Sequence, residues 1–564
     1  MELQNLFKVS AIVAAMALTG CGGDIEVTPT VNDTSVNNSN NTTNNTGTDT
    51  GGTPTTPTDP VTPTNPCTSR TVSGTEVQGT FQAPHCVYGT DFAGKNLEIA
   101  SDITFADLEN DGAHVFKGAL LIGENCNTTT GCSVPENGPT LKVEAGATLA
   151  FTSGEAIIRI ARGAKIDAIG TADKPISFTS ANTIEAFDLA NIGPQFADWG
   201  GIIINGKGLT NQCTNVERAE NTCNANAEGI VSHFGGSDNA DGSGHIKYAN
   251  IWYAGSGPRD GGPGDDLNSL TLNAVGSGSS FEYLHIHQGF DDGIEFFGGA
   301  STIKNIVVTD TQDDAIDIDA GWKGKAQFIY VQHGTIKTKK DVTYQDSDGN
   351  PALIAAGSEG YMGNNGFETD GEKNKGADYS EVPASNPMIA NVTVVTTDGK
   401  SIRDNSSSQA AKFDDAIQGQ YYNALFVKSA AAQGGQDTKC IEFKDSDAAA
   451  NAEADTLNFH NSVLACTANF KSGSEPLPNG EGKEEWFKNA GSSLVLDGAQ
   501  DVLAADGFST NSTSTAITIT ANDLSSLNDS FFTPVNYIGA VSNADTSSEW
   551  YKWVQKAVTA ANND

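Results

Sequence analysis

Apolar positions in the middle of the chain recur at a fixed offset. Phe281, Leu284 and Ile286 in one stretch answer to Ile303, Ile306 and Val308 in the next, and the last two align again with Phe328 and Tyr330. The polar positions keep the same spacing, since Asp291-Asp292-Gly293-Ile294-Glu295-Phe296 and Asp313-Asp314-Ala315-Ile316-Asp317-Ile318 read as one template 22 residues apart. A unit this short holds two or three brief strands and no long helix, so it can bury its inward side chains only by stacking on the next unit. The pattern predicts a parallel β-solenoid, whose rungs lie about 4.8 Å apart and line up equivalent residues in columns.

The same alternation runs through Leu141 to Phe151 and through Ile157 to Ile169, with Gly163 at a turn. It returns more loosely at Gly366-Phe367-Glu368-Thr369, at Ile389 to Val395, at Tyr422 to Val427 and at Cys440-Ile441-Glu442-Phe443. Two polar, Gly- and Asp-rich stretches, Thr210 to Gly244 and Lys337 to Met362, break the period and read as loops on the solenoid's flank, where binding surfaces sit. These signals place the β-helix over residues 140–540. Residues 67–139 are expected to form an N-terminal cap and residues 541–564, with Trp550-Tyr551-Lys552-Trp553-Val554, a short helical cap over the last rung.

Composition agrees with many turns and short strands: 61 Gly and 19 Pro, with 37% apolar and 18% charged residues. The 32 basic against 70 acidic residues give a net charge of -38, which opposes nucleic acid and anionic headgroups and favours cations. Residues 1–21 carry Lys8, the apolar run Val9 to Leu18 and then Leu18-Thr19-Gly20-Cys21. This resembles the bacterial lipoprotein signal, whose Cys becomes the acylated N-terminus, and it makes Cys21 the expected lipidation site. An Asp directly after that Cys would imply the inner membrane, and Gly22 stands there instead, so the expected location is the outer membrane. Residues 22–66, almost all Thr, Asn, Gly, Pro, Ser and Asp, cannot fold alone and read as a solvated tether. Export favours disulfides over metal ligation for the other eight cysteines. Proximity in sequence pairs Cys67 with Cys86, Cys126 with Cys132, Cys213 with Cys223, and Cys440 with Cys466.

Ala168-Ile169-Gly170-Thr171-Ala172-Asp173-Lys174-Pro175-Ile176-Ser177-Phe178 and Asp198-Trp199-Gly200-Gly201-Ile202 resemble motifs of right-handed parallel β-helix proteins on bacterial surfaces. A more distant similarity is to pectin-degrading β-helix hydrolases. Those carry Asn-Thr-Asp, Gln-Asp-Asp and Gly-His-Gly on successive rungs, and this chain has Phe290-Asp291-Asp292, Gln312-Asp313-Asp314 and Gln332-His333-Gly334. By position the resemblance implies Asp292, Asp313, Asp314 and His333 as catalytic candidates. It departs at the lost Asn-Thr, at Gln332, and at Ile336-Lys337, all that remains of an Arg-Ile-Lys. A lyase would use a basic residue beside calcium, for which Lys323, Lys325 and Arg259 are available with no spacing to single one out.

Stacking would set Asp291 over Asp313, Asp292 over Asp314 and Glu295 over Asp317, each pair about 5 Å apart. At an effective dielectric near 20 each pair repels by about 3 kcal/mol, so a proton, a cation or a neighbouring Lys must intervene. Calcium, a hard ion that takes six to eight oxygens, is the expected cofactor for these six residues. Weaker signals are Gly261-Gly262-Pro263-Gly264-Asp265-Asp266, one copy of a calcium-roll repeat that reads more simply as a turn, and Asp346-Ser347-Asp348-Gly349-Asn350, an EF-hand start spoiled by Pro351. His285 and His287 face one side of a strand, and Trp199, Trp252 and Trp322 could stack sugars, though packing is the plainer role for each. The expectation that follows is an outer-membrane surface lipoprotein that binds a glycan or other nutrient, possesses bound calcium and partners an outer-membrane transporter. The alternative is a polysaccharide hydrolase or lyase using Asp292, Asp313 and Asp314.

Overall fold

The rungs stack as the repeat requires. The computed structural model describes residues 65–564 apart from 258–265, 347, 362, 373–383, 398–400, 404–407, 430–437 and 499–500. Cys21, the tether as far as residue 64, Arg259 and most of the run from Gly261 therefore lie outside the described residues. Among the described residues a parallel ladder of 11 strands runs from Glu98–Ile99 to Ala468–Phe470, and a second sheet of 18 strands forms the rest of the wall. This is the parallel β-solenoid expected from the repeat, and the right-handed parallel β-helix that the resemblance implies. No helix among the described residues is long and apolar enough to cross a membrane.

The second sheet is bent into two faces. Lys165–Ile169 and Ile176–Ser180 both pair with the single strand Gly244–Trp252, one on each side of Tyr248, whose φ is +50°. Tyr283, Asn305, Phe328 and Asn391 repeat this left-handed bend at φ +52°, +61°, +60° and +54° on the next four rungs. Asn tolerates that conformation, whereas an aromatic residue is strained in it. Inward columns fill the interior: Ile246, Phe281, Ile303, Ala326 and Ile389 stack in register, as do Ile251, Ile286, Val308, Val331 and Val394. Each Ile, Val or Phe side chain among them gains about 1.5–3 kcal/mol by leaving water.

One expected register is wrong by a residue. Ile306 and Val308 pair with Ile329 and Val331, not with Phe328 and Tyr330. The turn before this rung, residues 320–324, is one residue longer than the corresponding turn, residues 298–301. A slip of one residue exchanges the faces, so Phe328 takes the bend and Tyr330 points outward. Both join an outer apolar cluster with Trp550, Trp553 and Val554.

That cluster explains the chain's end. The expected C-terminal helix exists, Glu549–Asn563, but it lies on the solenoid's flank against the strands Ser280–His287 and Thr302–Thr309. Its tryptophans cover the aromatic bends, with Trp553 5.8 Å from the Tyr248 ring and Trp550 6.2 Å from Tyr283. Burial of these rings offsets the backbone strain beneath them. The last rungs are closed instead by the helix Lys483–Gly491, whose Trp486 and Phe487 enter the main core. Between the two helices the chain runs back along the bends, Asn391 and Asn423 donating to the carbonyls of Gly539 and Asn522.

At the other end the expected cap over 67–139 already contains parallel rungs. His85–Tyr88 pairs with His114–Phe116, and that strand with Thr148–Phe151. Among its strands, only the antiparallel hairpin Ser69–Val72 with Thr75–Gln78 and the strand Thr80–Gln82 lack a parallel partner. The four disulfides form in the expected sequential pairing. Both insertions fold as flank structures, the first with a short helix Asn215–Ala219 and the second with two antiparallel hairpins between Thr335 and Tyr361.

Candidate functional site

The doubled aspartates sit at the corner where the two sheets meet, each pair following a strand of the bent sheet and preceding one of the 11-stranded ladder. Their register is the predicted one, with Glu295 opposite Asp317. The corner is closed by the second insertion, whose Val342, Tyr344 and Ile354 pack on Phe290 and Phe196. Asp291, Asp292, Glu295 and Asp314 are consequently buried.

Two of the aspartates bind the next rung. Asn268 Oδ1 accepts the backbone N–H of Asp292 at 3.0 Å, Asp292 Oδ1 that of Asp314 at 2.9 Å, and Asp314 Oδ1 that of Asn365 at 2.6 Å. This ladder of side-chain acceptors satisfies amides that the corner removes from the sheet hydrogen bonds. Asn268, which does the same work without charge, and Asn365, whose backbone N–H ends the ladder, escaped the sequence reading because insertions break the period on either side of the two aspartate rungs.

Charge at the corner divides into two groups. Ligand oxygens of Asp291, Asp292 and Asp313 lie within 4.8 Å of one another, and so do those of Asp292, Glu295 and Asp317. The first group has an internal counter-ion, Arg403, which pairs with Asp291 and Asp266 and lies 3.7 Å from Asp313. Its guanidinium is held over the Phe290 ring at 4.9 Å. No sequence signal marked Arg403, which comes from a segment outside the repeat. The neighbouring carboxylates hold it above the ordinary arginine range against the effect of burial. On the outward column that contains Glu295 and Asp317, Lys412 pairs with Glu368 further along, and no Lys or Arg among the described residues pairs with Glu295. Asn268 Nδ2 donates to Glu295 Oε2 at 2.5 Å and to Glu228 Oε2 at 3.1 Å.

Burial first, and then like charge, pushes Asp292, Glu295 and Asp314 well above the usual carboxylate range; Asp291, Glu228 and Glu368 are the nearest contributors in turn. Asp313 is pushed up to about 6 by burial, with Arg403 pulling the other way. A cluster of this kind either holds protons at neutral pH or takes a cation. Hard oxygen donors within 4.8 Å of one another match calcium, so the residues present fit that ion at Asp292, Glu295 and Asp317.

The remaining candidates are packed. His333 follows the strand Lys325–Gln332 and faces Ser408, its Nδ1 3.2 Å from the hydroxyl. Burial pushes its pKa down to about 4. A Cβ on Gly363 would come within 2.5 Å of its ring, which closes that side as well. His285 and His287 share the Thr309 hydroxyl, and His287 Nε2 also meets the Asp564 carboxylate at 3.2 Å. Trp199 and Trp322 are core residues. Lys325 pairs with Asp529 on the returning C-terminal segment.

A family model described as a pectate-lyase-like β-helix domain matches residues 116–489, more than half of the 564 residues. The chain belongs to that family. Neither the curated proteins nor the solved structures include a match. A pectate-lyase-like β-helix domain fits a polysaccharide-related role. Within this pectate-lyase-like β-helix, Asp292, Asp313 and Asp314 share one corner, of which only Asp313 keeps about a third of its side chain exposed, at 31%.

Proposed function

We propose that this pectate-lyase-like β-helix is a surface lipoprotein that captures a glycan or another nutrient ligand without cleaving it. The observation that carries this reading is the ladder. Asp292 and Asp314, exposed by 7% and 3%, each commit an oxygen to the backbone of the next rung. A general acid or base must reach its substrate within hydrogen-bond distance, and these two are bonded into the scaffold. Calcium at Asp292, Glu295 and Asp317 would supply the positive charge that Arg403 gives the neighbouring group. The lipobox at Cys21 and the polar tether of residues 22–66 support an outer-membrane anchor, and an outer-membrane transporter is the partner such a capture protein would serve. The test is a screen of acidic and neutral glycans for reducing ends and for the absorbance of unsaturated products, run beside a glycan-binding array. The reading expects binding without turnover.

The hydrolase or lyase reading keeps one specific support. Asp313 is partly exposed and its pKa is near 6, the range a general acid uses near neutrality. Turnover that disappears in Asp313→Asn would establish that reading in place of the first.

A further inference from the structure

On the solenoid's flank, where the chain runs back along the bends, a cleft of about 300 Å³ opens between residues 510–521 and 536–544. Both walls are pinned to the coil. Asn391 Nδ2 donates to the Tyr537 carbonyl at 3.2 Å and Asn461 Nδ2 to the Thr520 carbonyl at 3.0 Å, each asparagine from a left-handed bend at φ +54° and +48°. The walls also bond to each other, the Thr510 amide donating to the Val541 carbonyl at 2.8 Å and the Thr510 hydroxyl to the Ile538 carbonyl at 2.7 Å. A cleft braced in this way keeps its shape before a ligand arrives, which lowers the cost of binding.

The lining divides by chemistry. Ile517, Ile519 and the Tyr537 ring, all partly buried, give the cleft an apolar face. Ser512, Thr520 and Asn536 line it as exposed residues. Their side chains and the Tyr537 hydroxyl make no hydrogen bond among the described residues, so four uncharged polar groups are open to a ligand. Burial and then Asp545 hold the Tyr537 phenol above its usual range, so it stays protonated and able to donate. None of the described lining residues is charged. Carboxylates stand close by, at Asp501, which accepts the Ser514 hydroxyl at 3.3 Å, and at Asp545.

We propose that this cleft binds one neutral sugar residue, an inference that rests on the capture of a glycan and names the part of the glycan held here. A pyranose has apolar C–H faces and hydroxyls that both donate and accept, which suit the tyrosine ring, the isoleucines and the open hydroxyls and amide. A wholly apolar ligand would strip water from those polar groups and return no hydrogen bond. An acidic sugar would meet Asp501 and Asp545 with no Lys or Arg in the lining to receive it, on a chain of net charge -38. Small-molecule sites span roughly 300–1,000 Å³, and this cleft, at the lower limit, suits a single ring.

Calorimetric titration of the full chain with glucose, galactose, mannose and glucuronate tests the assignment. The expected result is saturable binding of at least one neutral hexose, with glucuronate weaker by about tenfold or more. Tyr537→Phe keeps the ring and removes the hydroxyl, and Asn536→Ala removes an exposed amide. Neither group is bonded within the described fold, and each change should weaken that hexose by about three- to tenfold. The proposal is overturned if no neutral hexose binds, if glucuronate binds as tightly, or if either variant titrates like the parent. Glycan capture survives that failure where the array still shows binding, because the array reports the whole surface and the two variants report this cleft.

Discussion

Asp292 Oδ1 accepts the backbone N–H of Asp314 at 2.9 Å, so one aspartate of the repeat binds the rung that carries its counterpart. The bond needs an oxygen acceptor and no charge, as Asn268 demonstrates in the same ladder. Asp292→Asn should therefore melt at or above the parent in chelator at neutral pH, since it removes a buried carboxylate and keeps the acceptor. Asp292→Ala strands the Asp314 amide and should cost about 1–3 kcal/mol. Chemical denaturation of the two variants checks the order.

Arg403 joins Asp266, Asp291 and Asp313. Arg403→Leu leaves their charges without the internal counter-ion and should destabilise the chain by about 3–5 kcal/mol at neutral pH. The loss should shrink in acid, where the orphaned carboxylates take up protons. A penalty independent of pH would mean that Arg403 acts through packing on Phe290 alone.

The sequence made the repeat visible wherever two rungs followed each other without insertion. Phe281 to Val308 and the two aspartate templates paired as expected because both strands and both connecting turns kept their lengths. One added residue in the turn 320–324 hid the true partner of Ile306 and sent Phe328 and Tyr330 outward. The same limit applies to the corner. Its aspartates were legible as a column, but Arg403 and Asn365 reach it from segments that insertions remove from the period, and no local pattern announces such a contact. The helix Glu549–Asn563 was legible from its aromatic face, whereas its seat depended on Tyr248 and Tyr283, aromatic residues at bends far back in the chain.

Asp310 offers a clean pH test. It is 5% exposed, accepts the Gly334 amide at 2.7 Å, and burial raises its pKa from 3.8 to about 6 against the opposing pull of His287, whose Nδ1 lies 3.8 Å from its carboxylate. A raised carboxylate pKa gives stability that is complete below the unfolded value and is lost as pH rises through the folded one. The parent should thus lose up to about 3 kcal/mol relative to Asp310→Asn between pH 4 and pH 7. Comparing the two chains removes the opposite contributions of His285 and His333, whose pKa values are lowered. Parallel stability curves would refute the assignment.

Cys21→Ser should release the protein from the outer-membrane fraction into a soluble one, because the expected lipid is its anchor. Fractionation with immunodetection reads the outcome, and retention of the variant in the membrane would remove Cys21 from the account.

The central claim is that the acidic corner is a scaffold charge cluster completed by a cation at Asp292, Glu295 and Asp317. Thermal melting of parent and Glu295→Gln in chelator, in calcium and in sodium at matched ionic strength tests it most directly. Ligand that binds only the folded chain stabilises it by about 2.7 kcal/mol at a hundred times its dissociation constant. The account predicts that calcium raises the parent's melting temperature above the matched sodium value and that Glu295→Gln loses this calcium-specific rise while keeping the general effect of salt. Equal melting of the parent in calcium and sodium, or an unchanged calcium response in Glu295→Gln, would contradict it.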